Sequence, residues 1–172
     1  MSFMHLLEFV RSRKFGFLEL GMSRLDVVKH LGPPVSWVGK PPTIGPQILI
    51  PEEADVWLYY GNGASIKFDE SGHSISVGLV PKHINKELPI FRSFPIGPGA
   101  TMSDFRNFLV EQEISFSEGK DPEAYYILAH RQCLALSFPY WKGKLIPKGD
   151  QEIGLISTVT NQKDLPSFVD PD

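Results

Sequence analysis

Cysteine is nearly missing from this chain: one residue, Cys133, stands in 172, so no disulfide can form within it. Long apolar runs are missing too. None approaches the roughly 20 residues of a membrane-crossing helix, and Glu8, Arg11, Arg13 and Lys14 interrupt the stretch that a signal peptide would need. The expectation is a cytoplasmic protein with no membrane partner. Basic charge is not in excess, with 17 Lys and Arg against 20 Asp and Glu and a net charge of −3. Nucleic acid is therefore not an expected partner, because a phosphate backbone is held by clustered cations. The five histidines, at positions 5, 30, 73, 83 and 130, show neither i, i+4 spacing nor a paired cysteine, so no metal and no cofactor are expected.

What is present describes an ordinary globular chain. The apolar fraction is 42% and the charged fraction 22%, which leaves disordered and fibrous classes aside. The length suits one sizeable domain or two small units sharing a core, and 12 Phe predict that the core is well filled.

Phe3, Leu6, Leu7 and Val10 recur at helical spacing, which predicts a helix within residues 1–16. A second helix begins at Ser23, a natural N-cap with Asp26 three residues on, carries Val27, Val28 and Leu31, and stops at Gly32-Pro33-Pro34. The proline-rich stretch from Pro33 to Pro51 reads as an irregular connection tacked down by Trp37 and Ile48 to Ile50. Val56 to Tyr60 and Ala64 to Phe68 flank Asn62-Gly63, the pair best suited to a two-residue type I′ hairpin turn. With Tyr59 opposite Ile66 and Trp57 opposite Phe68, these four residues form the inward face. A third strand follows after Asp69-Glu70-Ser71-Gly72, where Ile75, Val77 and Leu79 alternate with Ser74, Ser76 and Gly78.

The second half repeats this order. Gly21, Ser23, Asp26, Val27 and Leu31 match Gly99, Thr101, Asp104, Phe105 and Leu109 at a constant offset. Tyr125 to His130 and Cys133 to Phe138 then make a strand pair about Arg131-Gln132, with Tyr125, Ile127, Leu136 and Phe138 inward, and Ile153 to Thr160 supplies the last strand. The expected fold is α+β: two tandem helix plus antiparallel-meander units, residues 17–80 and 99–160, joined by 81–98 and followed by a tail over 161–172.

The segment Leu20-Gly21-Met22-Ser23 through Asp26-Val27 to Leu31-Gly32-Pro33-Pro34, with Trp57-Leu58-Tyr59-Tyr60-Gly61 and Phe68-Asp69-Glu70-Ser71-Gly72, resembles a bacterial module. It is the one shared by β-lactamase-inhibitor-type proteins, the small outer-membrane assembly lipoprotein and proteins similar to immunity proteins of toxin systems. The resemblance implies one continuous curved sheet that grips another protein, such as a toxin or an enzyme, with one face. The expected function is a non-enzymatic protein-binding module of inhibitor or immunity type. A small enzyme with a cleft between the repeats and a structural subunit of a homo-oligomer are the alternatives.

Strand alternation names the binding face. If the inward set is core, then Tyr60, Ser65, Lys67, Ser74 and Ser76 point the other way, with Tyr126 and Ser137 at the equivalent places in the second unit. Hydroxyls among tyrosines compose a surface that binds protein readily.

Other candidates read more simply as structure. His130 and Cys133 could pair as base and nucleophile, but no orienting acid accompanies them. Asp69 and Glu70 lie in a turn. Gly97-Pro98-Gly99 lacks the N–H groups and lysine of a phosphate loop. Lys142, Lys144 and Lys148 around Trp141 read as a solvated loop.

Overall fold

A computed structural model describes residues 5–39, 54–120, 124–137, 140–141, 144–145, 151–161, 163, 165–167 and 169. Helix α1 spans Leu6–Ser12 and buries Leu6, Phe9 and Val10, one stripe of its surface, before Arg13 ends it in the left-handed conformation. Phe9 joins the expected set, Leu7 is half-buried, and Phe3 lies outside the described residues.

Helices α2 (Arg24–Leu31) and α3 (Met102–Glu111) start in the same way. The Ser23 hydroxyl accepts the Asp26 N–H at 3.2 Å. At Thr101 the box closes from both sides: its hydroxyl accepts the Asp104 N–H, and the Asp104 carboxylate accepts the Thr101 N–H at 2.8 Å. These bonds satisfy N–H groups that a first helical turn leaves without partners. Helix α2 buries only Val27 fully, and Leu25 stays 71% exposed.

Among the described residues eight strands form one open antiparallel sheet: β1 (Ser36–Gly39), β2 (Ala54–Tyr59), β3 (Ala64–Phe68), β4 (Ser74–Leu79), β5 (Phe116–Lys120), β6 (Tyr125–Ala129), β7 (Cys133–Ser137) and β10 (Leu155–Thr158). Their spatial order is β1-β2-β3-β4-β10-β7-β6-β5, with β1 and β5 at the edges. A separate two-stranded ribbon joins β8 (Tyr140–Trp141) to β9 (Lys144–Leu145). Strands β1 and β5 arise where the sequence reads as irregular. Trp37 of β1 faces Trp57 of β2; Ile48 to Ile50 fall outside the described residues.

Helices α1, α2 and α3 pack on one face of the sheet, the inner face. There Trp57, Tyr59, Ile66 and Phe68 are buried as expected, and the Trp57 and Phe68 rings meet edge-on at 4.7 Å between centroids. Residues 81–98 do more than connect. Two short 3₁₀ turns, Pro81–His83 and Pro89–Phe91, help this stretch insert Ile84, Phe91, Phe94 and Ile96 into the same core. A smaller cluster lies on the outer face of the second half: Tyr126, Leu128, Leu134 and Leu136 are buried with Val159 and Val169.

The hairpin registers differ from expectation in an instructive way. Tyr59 pairs with Ala64 and Trp57 with Ile66, a shift of two residues, so the loop is Tyr60 to Gly63 instead of a two-residue turn. Tyr60, Gly61 and Asn62 all adopt positive φ. A shift of two preserves the face of every residue, which is why the inward set survives. In the second hairpin the loop is His130 to Gln132, since Ala129 pairs with Cys133. Three loop residues instead of two reverse one strand's parity, and Leu136 turns to the outer face beside Tyr126. Ile127 is inward, Tyr125 is half-buried, and Phe138 lies outside the described residues.

Two short hydrogen-bond sets recur along the chain. Ser74 N–H donates to Met22 O and Arg24 N–H to Gly72 O; likewise Ile153 N–H donates to Ala100 O and Met102 N–H to Gln151 O. The end of each half closes on its hairpin loop, through Val80 N–H to Gly63 O and Val159 N–H to Gln132 O.

Candidate functional site

Both faces of the sheet carry features that could meet a ligand. On the outer face the two halves differ. Tyr126, Leu128, Leu134 and Leu136 are buried in the second half, whereas Ser36, Val56, Leu58, Ser65, Ser76 and Leu155 are only half-buried and Lys67 and Val38 are exposed.

The seven residues expected on one face divide between two. Ser65, Lys67 and Ser76 lie together on the outer face of β3 and β4, where Ser65 stands opposite Leu58 and Gly78 and Lys67 opposite Ser76. Tyr126 shares that face in the second half but is buried. Tyr60 is a correction, because it leaves the strand with φ 54° and its ring packs inward near Phe15 and Phe91. Burial raises the Tyr60 hydroxyl above the ordinary tyrosine range. Ser74 is a second. The ladder skips Ile75, pairing Lys67 with Ser76 and Phe68 with Ser74, and this bulge turns Ser74 inward. Its hydroxyl there accepts Met22 N–H and donates to Glu19 O. Ser137, the third, stands opposite Tyr125 on the inner side and donates to Gln151 Oε1 at 3.1 Å.

Hydroxyls also replace the backbone ladder where the two halves of the sheet meet. Strands β4 and β10 share only the pairs Leu79 with Ile156 and Gly78 with Ser157. Beyond them Val77 N–H donates to Thr158 Oγ1 at 2.9 Å, the Ser76 hydroxyl donates to Thr158 O, and Thr160 Oγ1 donates to Ile75 O. Ser76 and Ser157 hydroxyls lie 2.9 Å apart.

On the inner side, a pocket of about 500 Å³ opens between α3 and strands β5 and β6. Arg106 crosses its wall and donates through both Nε (2.9 Å) and Nη2 (2.7 Å) to Glu118 Oε2. Tyr125, Ile127, Lys120 and Gln151 complete the lining used below. No local motif announces this site: Arg106 and Glu118 are twelve residues apart, and Gln151 arrives from the segment before β10. The pocket lies within the second half, not between the halves.

The remaining candidates have settled places. The Cys133 thiol is fully buried, and that burial pushes its pKa up, away from the thiolate a nucleophile requires. His130 is exposed, with Nδ1 3.4 Å from the Ser115 hydroxyl. Asp69 ties its own turn: its carboxylate accepts His73 N–H and the Ser71 hydroxyl, which hold it below the usual carboxylate range. Among the described residues no group of three or more His, Cys, Asp or Glu could hold a metal ion, and no helix is long and apolar enough to cross a membrane. Lys142 and Lys148 lie outside the described residues.

Compared with protein-family profiles, curated proteins and solved structures, the chain finds no match.

Proposed function

We propose that this chain is a non-enzymatic protein-binding module of inhibitor or immunity type, built from two tandem helix-plus-meander units of the β-lactamase-inhibitor-like kind. The duplication is supported by the paired hydrogen bonds. The turn before each helix grips the turn before the last strand of its half, and each last strand reaches back to its hairpin loop. The strand order, read outward from the β4 and β10 seam, is also the same in both directions.

The binding reading rests on one observation: among the described residues the outer face is plugged in the second half and left partly open in the first. There Ser65, Ser76 and Lys67 surround half-buried Leu58 and Val56 on the sheet, a mixture of adaptable hydroxyls and apolar floor suited to a protein partner. The partner would be a toxin or enzyme of the same cell. The test is affinity capture from a lysate of the source organism with the wild-type chain and with Ser65→Arg/Ser76→Arg. One stoichiometric partner held by the first and lost by the second supports the reading. A partner that both retain equally, with both folded by circular dichroism, removes the outer face from it.

A further inference from the structure

The pocket between α3, β5 and β6 contains a polar group that the fold has buried and left half-used. Gln151 is 5% exposed. One end of its amide, Oε1, accepts the Ser137 hydroxyl, and its backbone carbonyl accepts Met102 N–H. The other end, Nε2, makes no hydrogen bond among the described residues. It is also not sealed from solvent, since Arg24 Nε is the one sealed and unbonded side-chain atom among them. Gln151 lines the pocket, so this open donor is available to a ligand there.

The pocket exists because residues at matching places in the two halves differ in size. In the first half, the helix-start residue Arg24 spreads over the Phe68 ring at 4.8 Å and donates to Ala54 O, while Phe68 packs on Trp57. Phe68 ends β3 as Ser137 ends β7, and Arg24 opens α2 as Met102 opens α3. Gly72 and Gln151 are the carbonyls that those helix starts bond. On the tandem reading, Ser137 for Phe68 and Met102 for Arg24 leave space in the second half, and Gln151, in the place of Gly72, lines it.

The chemistry of the lining selects a ligand. Gln151 Nε2 and the exposed Lys120 ammonium line the pocket on either side of Tyr125: Lys120 pairs with Tyr125, and Tyr125 pairs with Ser137, whose hydroxyl holds Gln151. Glu118 is neutralised by Arg106. Between and beside these donors the apolar lining is half-buried Tyr125 and buried Ile127. We infer that this pocket binds a small carboxylate carried on a flat apolar body, with the carboxylate on Gln151 and Lys120 and the body against Tyr125 and Ile127. Its volume lies within the roughly 300–1,000 Å³ of small-molecule sites.

The test is a titration of isotope-labelled full-length protein with sodium benzoate at constant ionic strength, following the Gln151 side-chain amide by NMR. Saturable shifts of that amide and of Arg106 Nε–H are expected, with benzyl alcohol at least about tenfold weaker because it lacks the charge. Gln151→Glu keeps an acceptor for Ser137 but opposes a carboxylate, and should weaken benzoate about tenfold or more. Lys120→Ala, at an exposed edge position, should weaken it severalfold without touching the core. Shifts that never saturate, equal binding of benzyl alcohol, or unchanged affinity in both variants would overturn the assignment.

Discussion

Phe68 illustrates how much one side chain carries. It is 3% exposed, meets Trp57 edge-on and holds the Arg24 guanidinium over its ring. Phe68→Ala is expected to destabilise the chain by about 3–5 kcal/mol, the usual cost of emptying a core aromatic site; a loss below about 1 kcal/mol in chemical denaturation would contradict the inner face. Gly63 acts through its lack of a side chain. A Cβ there would stand 2.8 Å from His83 O, a backbone atom that cannot rotate away, so Gly63→Ala should cost about 1–3 kcal/mol. Cys133 gives the chain an alkaline limit. Burial raises its folded pKa above the unfolded value, so the unfolded chain loses the proton first. The stabilisation is complete below the unfolded thiol's range near pH 8.5 and is lost as pH rises through it towards the folded value. Denaturation midpoints should fall above about pH 8.5, and Cys133→Ala should flatten that slope; Tyr59 and Tyr60, raised by burial as well, extend the decline at higher pH.

Elements differ in how openly the sequence declares them. The three helices and the two hairpins could be read because caps and β-branched or aromatic runs are local signals. Strands β1 and β5 could not. Ser36-Trp37-Val38-Gly39 is four residues long, and Phe116-Ser117-Glu118-Gly119-Lys120 ends in Glu, Gly and Lys, all poor strand formers, so both owe their conformation to pairing with a neighbour. Loop length was equally hidden, and it alone decided whether Leu136 faced inward or outward. The expected binding face suffered for the same reason: one bulge turned Ser74, one left-handed residue turned Tyr60, and Ser137 followed the parity of its hairpin. The pocket had no sequence signature because its members come from α3, β5, β6 and the approach to β10. Capping is where an element's stability can be tested in isolation. Thr101→Ala removes the hydroxyl half of a closed box and should cost about 1–2 kcal/mol, and Ser23→Ala about 1 kcal/mol, measured as shifts in thermal midpoint.

At the scale of the whole molecule, the continuous sheet depends on the narrow seam between β4 and β10. Two ladder pairs and a set of Ser and Thr hydroxyls hold it, and the groups that bond, such as Val77 and Thr158, are 81 residues apart. Contacts of such long sequence separation carry a large closure entropy and are expected to form late, after the hairpins on either side. The seam should therefore govern how long the folded chain survives more than how quickly it is reached. Thr158→Val, which keeps the shape and removes the hydroxyl that serves Val77, is expected to cost about 1–2 kcal/mol. In stopped-flow denaturant jumps nearly all of that cost should appear as faster unfolding, with the refolding arm almost unmoved. A refolding rate that slowed in proportion would place the seam in the nucleus instead. If the seam is the last joint to close, it is also the first to open, and the native lifetime of this protein is set by a few hydroxyl groups between two otherwise well-laddered half sheets.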